Sequence, residues 1–178
     1  MPKLRATLLA VLLAAVMFAT QGSSATAHPA HKVAAHGNVK AERGPTGEYG
    51  GPFKLRFKAS GTTTEARGHF AYTEPSGYTL RGDVTCYYQV GNRAVFTGPV
   101  TYEANPDNNT ESIVIWVADN DPGLGGRDAF DVAGGALLGP DCDQNFPLDR
   151  FDDAGVQASL YYVTKGNIVV RTHHGARA

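Results

Sequence analysis

The chain predicts an all-β fold, and three observations carry that expectation. Apolar residues recur with a period of two. Glycine and proline are frequent, at 21 and 10 of 178 residues, as turn-rich β chains require. No stretch carries the apolar stripe of an amphipathic helix. About eight or nine strands in one short domain make either a single antiparallel β-barrel, the expected architecture, or a β-sandwich.

The first element is not part of that domain. Lys3 and Arg5 precede an apolar run from Ala6 to Ala19, and Ala25-Thr26-Ala27 supplies small residues for cleavage. Residues 1–27 are expected to be a signal-peptide helix, because the run is shorter than the roughly 20 residues of a membrane span. The mature chain is then expected to be secreted, extracellular and free of the membrane. Residues 28–36 read as a flexible lead-in, 37–172 as the β-domain and 173–178 as a frayed tail.

Within the domain, Phe53, Leu55 and Phe57 alternate with Lys54, Arg56 and Lys58, one set facing a core and the other water. Tyr78, Leu80, Val84, Cys86, Tyr88 and Val90 read as one face of a long strand, with Gly82 at a bend. Gly91-Asn92 is a two-residue hairpin signal, followed by a strand with Phe96, Val100 and Tyr102 on one side. Ile113 to Val117, which includes the single tryptophan, Trp116, is apolar on both faces and therefore covered on both. Further strands are expected near 38–43, 66–73, 127–132, 158–164 and 167–172.

Cys86 and Cys142 are the only cysteines, and in an oxidising compartment such a pair most often forms a disulfide. It would close a loop of about 57 residues, worth roughly 4 kcal/mol by chain entropy.

Without the leader, 14 Lys and Arg face 17 Asp and Glu, a net of −3. That balance argues against nucleic acid as the main partner. Its distribution says more. Residues 119–153 hold nine Asp and two Arg, whereas residues 28–100 hold nine basic residues against five acidic ones.

Asp119-Asn120-Asp121-Pro122-Gly123, with Asp128 and Asp131 close behind, has the alternating oxygens and sharp glycine turn with which a calcium loop begins. The same residues are ordinary turn formers, so the segment is either a Ca2+ site or a plain loop. Asp141, Asp143, Asp149, Asp152 and Asp153 read as a solvated connection. Lys54, Arg56 and Lys58, with Arg67, Arg81 and Arg93 on neighbouring strands, form a candidate site for an anionic cell-surface polymer or glycan; the alternative is a charged face that keeps sheets from aggregating. Of the six His, five lie toward the termini (His28, His31, His36, His173 and His174), and only His69 is placed in the body of the fold. No nucleophile–base, phosphate-cradle or metal-hydrolase spacing is present, so no catalytic residue and no cofactor is assigned. Asn108-Asn109-Thr110 matches a glycosylation acceptor and marks an exposed segment.

Thr85-Cys86, then Gly91-Asn92-Arg93-Ala94, then Asp119-Asn120-Asp121-Pro122-Gly123 with Asp128 and Phe130, a second Cys, and Gly166-Asn167-Ile168-Val169-Val170 follow one another in a fixed order. Across residues 36–171 this order resembles a family of small secreted bacterial β-domains, mostly uncharacterised, occurring alone or as the last module of longer surface proteins. In that family Gly usually follows Asp-Asn directly and a His often follows the last valine; here those positions are Asp121 and Arg171. The resemblance implies a fold and no catalytic residue. The expected role is a monomeric, non-enzymatic extracellular binding or structural module. A carrier whose interior, lined by Tyr78, Tyr88, Phe96 and Tyr102, encloses a small apolar ligand comes second, and an enzyme third.

Overall fold

The computed structural model describes residues 32–47, 50–108, 110–134 and 147–173. The expected leader, Asp141, Cys142, Asp143, His28, His31 and His174 lie outside them. Ten strands follow in order: β1 (Lys32–Arg43), β2 (Phe53–Gly61), β3 (Ala66–Thr73), β4 (Thr79–Asp83), β5 (Cys86–Val90), β6 (Arg93–Glu103), β7 (Ser112–Asp121), β8 (Arg127–Gly134), β9 (Tyr161–Lys165) and β10 (Ile168–His173). The single α-helical turn described, α1, spans Ala154–Gln157.

All pairings are antiparallel, in the order β10-β1-β2-β3-β4-β6-β7-β8-β9, with β5 beside β6. β9 also pairs with β1, so the sheet closes in a ring. Two strands are broken rather than doubled. β4 and β5 lie end to end along β6, and β9 and β10 lie end to end along β1.

The break between β4 and β5 corrects the expected single face from Tyr78 to Val90. Val84 and Tyr87 both belong to the inner core, while Cys86 packs outside and Val90 is exposed. A residue inserted between ladder partners inverts the alternation beyond it. A second register shift, between Arg81 and Gly82, separates Val100, which packs inward, from Tyr102, which is 50% exposed. Gly82 is required here: a Cβ would stand 2.1 Å from the Pro99 carbonyl oxygen and 2.4 Å from the Phe70 ring.

β1 starts at Lys32, inside the segment expected to be a flexible lead-in, and β10 runs to His173. Alternation in β1 uses small residues, with Ala35, Val39 and Ala41 buried between exposed His36, Asn38 and Lys40. Its hydrophobic signal is weak. Pairing on both edges, with β2 and β10, supplies the stability that local propensity does not.

Side chains fill the ring. Phe57 stacks on Phe96 with centroids 4.9 Å apart, Phe130 on Tyr161 at 4.8 Å, and Phe53 meets Tyr161 edge-on at 4.7 Å. The Tyr72 hydroxyl donates to that of Tyr161 at 3.2 Å. Burial first, and that bond second, push the Tyr72 phenol far above its ordinary range. A second core lies outside the ring, where Val95, Val114, Trp116, Leu148, Phe151 and Leu160 pack together. Residues 147–160 form its lid, which is why 113–118 is buried throughout. Each fully buried large apolar side chain contributes about 1.5–3 kcal/mol.

Candidate functional site

The outer surface of β1–β4 is built by strict alternation. On β2, Phe53, Leu55, Phe57 and Ala59 are buried, and Lys54, Arg56 and Lys58 are exposed. Antiparallel register then sets Lys and His side chains from neighbouring strands opposite one another. Lys40 stands directly across from Lys54, His36 across from Lys58, and Lys58 across from His69. The next row holds Asn38, Arg56, Ala71 and Arg81, and Arg67 lies across from Ser60. One acid, Asp83, ends the His36–Lys58–His69 row.

Like charges directly opposed across strands destabilise a sheet. Lys40, Lys54, Arg56, Lys58 and Arg67 enter no ion pair among the described residues. Arg81 places its guanidinium over the Tyr102 ring, 5.2 Å from the centroid. The expected trio Lys54, Arg56 and Lys58 therefore shares one face with Arg67 and Arg81, but not with Arg93. His36, Asn38 and Lys40 complete the face; His36 was missed with the start of β1, whereas Asn38 and Lys40 lie in the strand expected near 38–43 and were not assigned to the face. The alternation of small with polar residues from 35 to 41 was the available signal.

Arg93 instead organises the opposite side. Its Nε pairs with Asp121, and its two terminal nitrogens grip Asp152 at 2.9 and 2.7 Å while one also donates to the Leu148 carbonyl at 3.2 Å. This ties the lid to β6 and β7. The guanidinium holds the Asp152 carboxyl below its usual range. Arg150 pairs with Asp131 and lies over Trp116, 4.3 Å from the ring centroid.

The four candidate calcium ligands are drawn to separate tasks. Asp119 accepts the Val170 amide at 2.9 Å. Asp128 accepts the amides of Asn120 at 2.8 Å and Ile168 at 2.7 Å. Asp121 caps the turn Pro122–Leu124 by accepting from the Gly123 amide at 2.8 Å. Asp131 answers Arg150. Asn120 takes φ +46 in the irregular stretch between the ladder pairs of Ala118 and Asp121, a left-handed conformation that Asn tolerates. Among the described residues, no group of three or more His, Cys, Asp or Glu is placed to hold a metal ion. Asp149 is exposed, and Asp153 caps α1 through the amides of Gly155 and Val156.

Of the four aromatics expected to line a carrier's interior, Phe96 is inside and Tyr78, half-buried, packs against the same inner core. Tyr88 packs against the outer core and Tyr102 is exposed. Tyr78 sits at the rim, donating to Glu103, which also accepts from the Thr110 amide and hydroxyl at 2.8 and 2.9 Å. The Tyr78 bond, followed by those of Thr110, keeps Glu103 below the ordinary glutamate range, the reverse of what a general acid needs. Asn108 is exposed in the turn Pro106–Asn108. Cys86 is 1% exposed, and no free thiol is found among the described residues. No helix among the described residues is long and apolar enough to cross a membrane.

No family model, no curated protein and no solved structure matches this chain.

Proposed function

We propose that this protein is a secreted, non-enzymatic binding module whose β1–β4 face holds an anionic polymer or glycan at the cell surface. The observation that carries the reading is a face of cations that enter no ion pair among the described residues: Lys40 directly across from Lys54, with Arg56, Lys58 and Arg67 beside them. A sheet gains nothing from that arrangement alone, whereas a polyanion laid across it would neutralise several charges at once. The ring serves as a small β-barrel, a rigid mount that keeps the spacing of the cations fixed. Cys86, buried beneath the lid, is bonded to Cys142 and ties the long connection after β8 to the ring. The filled interior, with Phe57, Phe70, Phe96 and Phe130 at its centre, speaks for surface binding over an enclosed apolar ligand.

Retention on an immobilised polyanion tests this. The wild-type chain should elute at a salt concentration that falls clearly when Lys54, Arg56 and Lys58 are replaced together by Ser, because exposed charges act within a Debye length of about 8–10 Å. Unchanged elution of a folded triple variant would refute the reading.

A further inference from the structure

Two surface grooves, of about 770 and 540 Å3, meet at Arg56 and His69. Joined, they form one trough running across the strands, from Val169 on β10 over β1, β2, β3 and β4 to Thr101 on β6. Between its two banks the floor is the sheet backbone at Gly37, Phe57, Phe70 and Gly82. One bank is the row Val169–His36–Lys58–His69–Asp83, which ends on a carboxylate, and the other carries Arg56 and Arg81 with Ala71 directly between them.

Resting on the anion-binding face proposed above, we propose that this trough holds an acidic polysaccharide, with carboxylates of successive uronate sugars on Arg56 and Arg81 and the intervening ring on Ala71. Three features of the trough select that ligand. Arg56 and Arg81 stand two strands apart, about 9.6 Å, close to the length of one disaccharide. A guanidinium fork matches a carboxylate bidentately, and the Tyr102 ring holds that of Arg81 in place. The small apolar Ala71 between two guanidiniums suits a pyranose, which has a C–H face and polar edges. A flexible polyol phosphate has no such face and would be held by charge alone.

The test compares, by calorimetry in low salt, a uronate-containing hexasaccharide, a polyol phosphodiester oligomer of equal charge and a neutral hexasaccharide. The uronate oligomer should bind about tenfold more tightly than the phosphodiester, a difference of about 1.4 kcal/mol, and the neutral sugar weakest. Ala71→Lys decides between shape and charge, since it adds a cation while filling the gap between the two arginines. The trough predicts about tenfold weaker uronate binding by this variant; a plain charged surface predicts tighter binding of both anions. Should Ala71→Lys fail to fold, Arg81→Gln and Lys54→Ala replace it, each removing one charge, inside and outside the trough. Only Arg81→Gln should weaken uronate binding strongly; equal losses overturn the inference. Equal affinity for both anions, with the face still required, also overturns it and leaves the anion-binding face standing. If neither anion binds, both readings fall.

Discussion

The two sides of the ring use arginine and lysine in opposite ways. Under the lid, Arg93 meets Asp121 and Asp152, Arg150 meets Asp131, and every one of these pairs reaches between chain segments that must stay together. On β1–β4, Lys40 faces Lys54, and Arg56, Lys58 and Arg67 enter no ion pair among the described residues. Strands carry both arrangements, so the difference lies in which side chains the fold sets together. Paired charge fastens the lid to the sheet, and the unpaired charge is what the proposed anionic ligand would use.

The contrast breaks most visibly at the lid. Phe151, fully buried and 5.7 Å beneath the Arg93 guanidinium, should cost about 3–5 kcal/mol when replaced by Ala, measured by denaturant unfolding, with polyanion retention of the folded fraction unchanged. A parallel loss of retention would show the two sides to be one unit. Arg93→Met should cost about 2–3 kcal/mol, because it strands Asp121, whose side chain is 4% exposed. A double-mutant cycle with Asp121→Asn should return a coupling above about 1 kcal/mol, and zero coupling would remove Arg93 as the fastener.

Smaller effects are expected on the other side. Lys54→Ser relieves repulsion with Lys40 and should raise stability by a few tenths of a kcal/mol, Lys58→Ser should leave it within about 0.5 kcal/mol, and both should weaken anion retention. Destabilisation beyond about 1 kcal/mol would make these lysines structural. The subtlest difference is in acid. Asp152 is held below its unfolded value, so its contribution is complete at neutral pH and is lost as pH falls below about 4 through the lower folded value. Thermal melts between neutral pH and pH 2 should therefore show a shallower acid decline in Asp152→Asn than in the wild type, and no such change in Lys54→Ser. Identical slopes in all three would dissociate Asp152 from acid stability.

Reading the chain alone recovered most of this division where alternation is strong. Lys54, Arg56 and Lys58 face outward because Phe53, Leu55 and Phe57 must face inward, and residues 113–117 are covered twice, as their unbroken apolar run requires. It failed where one inserted residue reverses parity, as between Val84 and Tyr87, since nothing in Asp83-Val84-Thr85 announces a break. β1 was shortened because alanine and glycine speak quietly in any hydrophobic pattern. The lid was read as a solvated acidic connection, for the partners that give Asp152 and Leu148 their roles lie 59 and 55 residues away at Arg93. The carboxylates of 119–131 looked like ligands for an ion because the same oxygens that could hold calcium can accept amide protons.

Those amide protons have a further consequence. β10 pairs with β1 on one side; on the other, the N–H groups of Ile168 and Val170 end on Asp128 and Asp119 rather than on a neighbouring backbone. The sheet is laced there, not woven. Cutting either lace bares amides of the kind on which another molecule's strand can template, so a single aspartate on β7 or β8 stands guard against intermolecular growth along that seam.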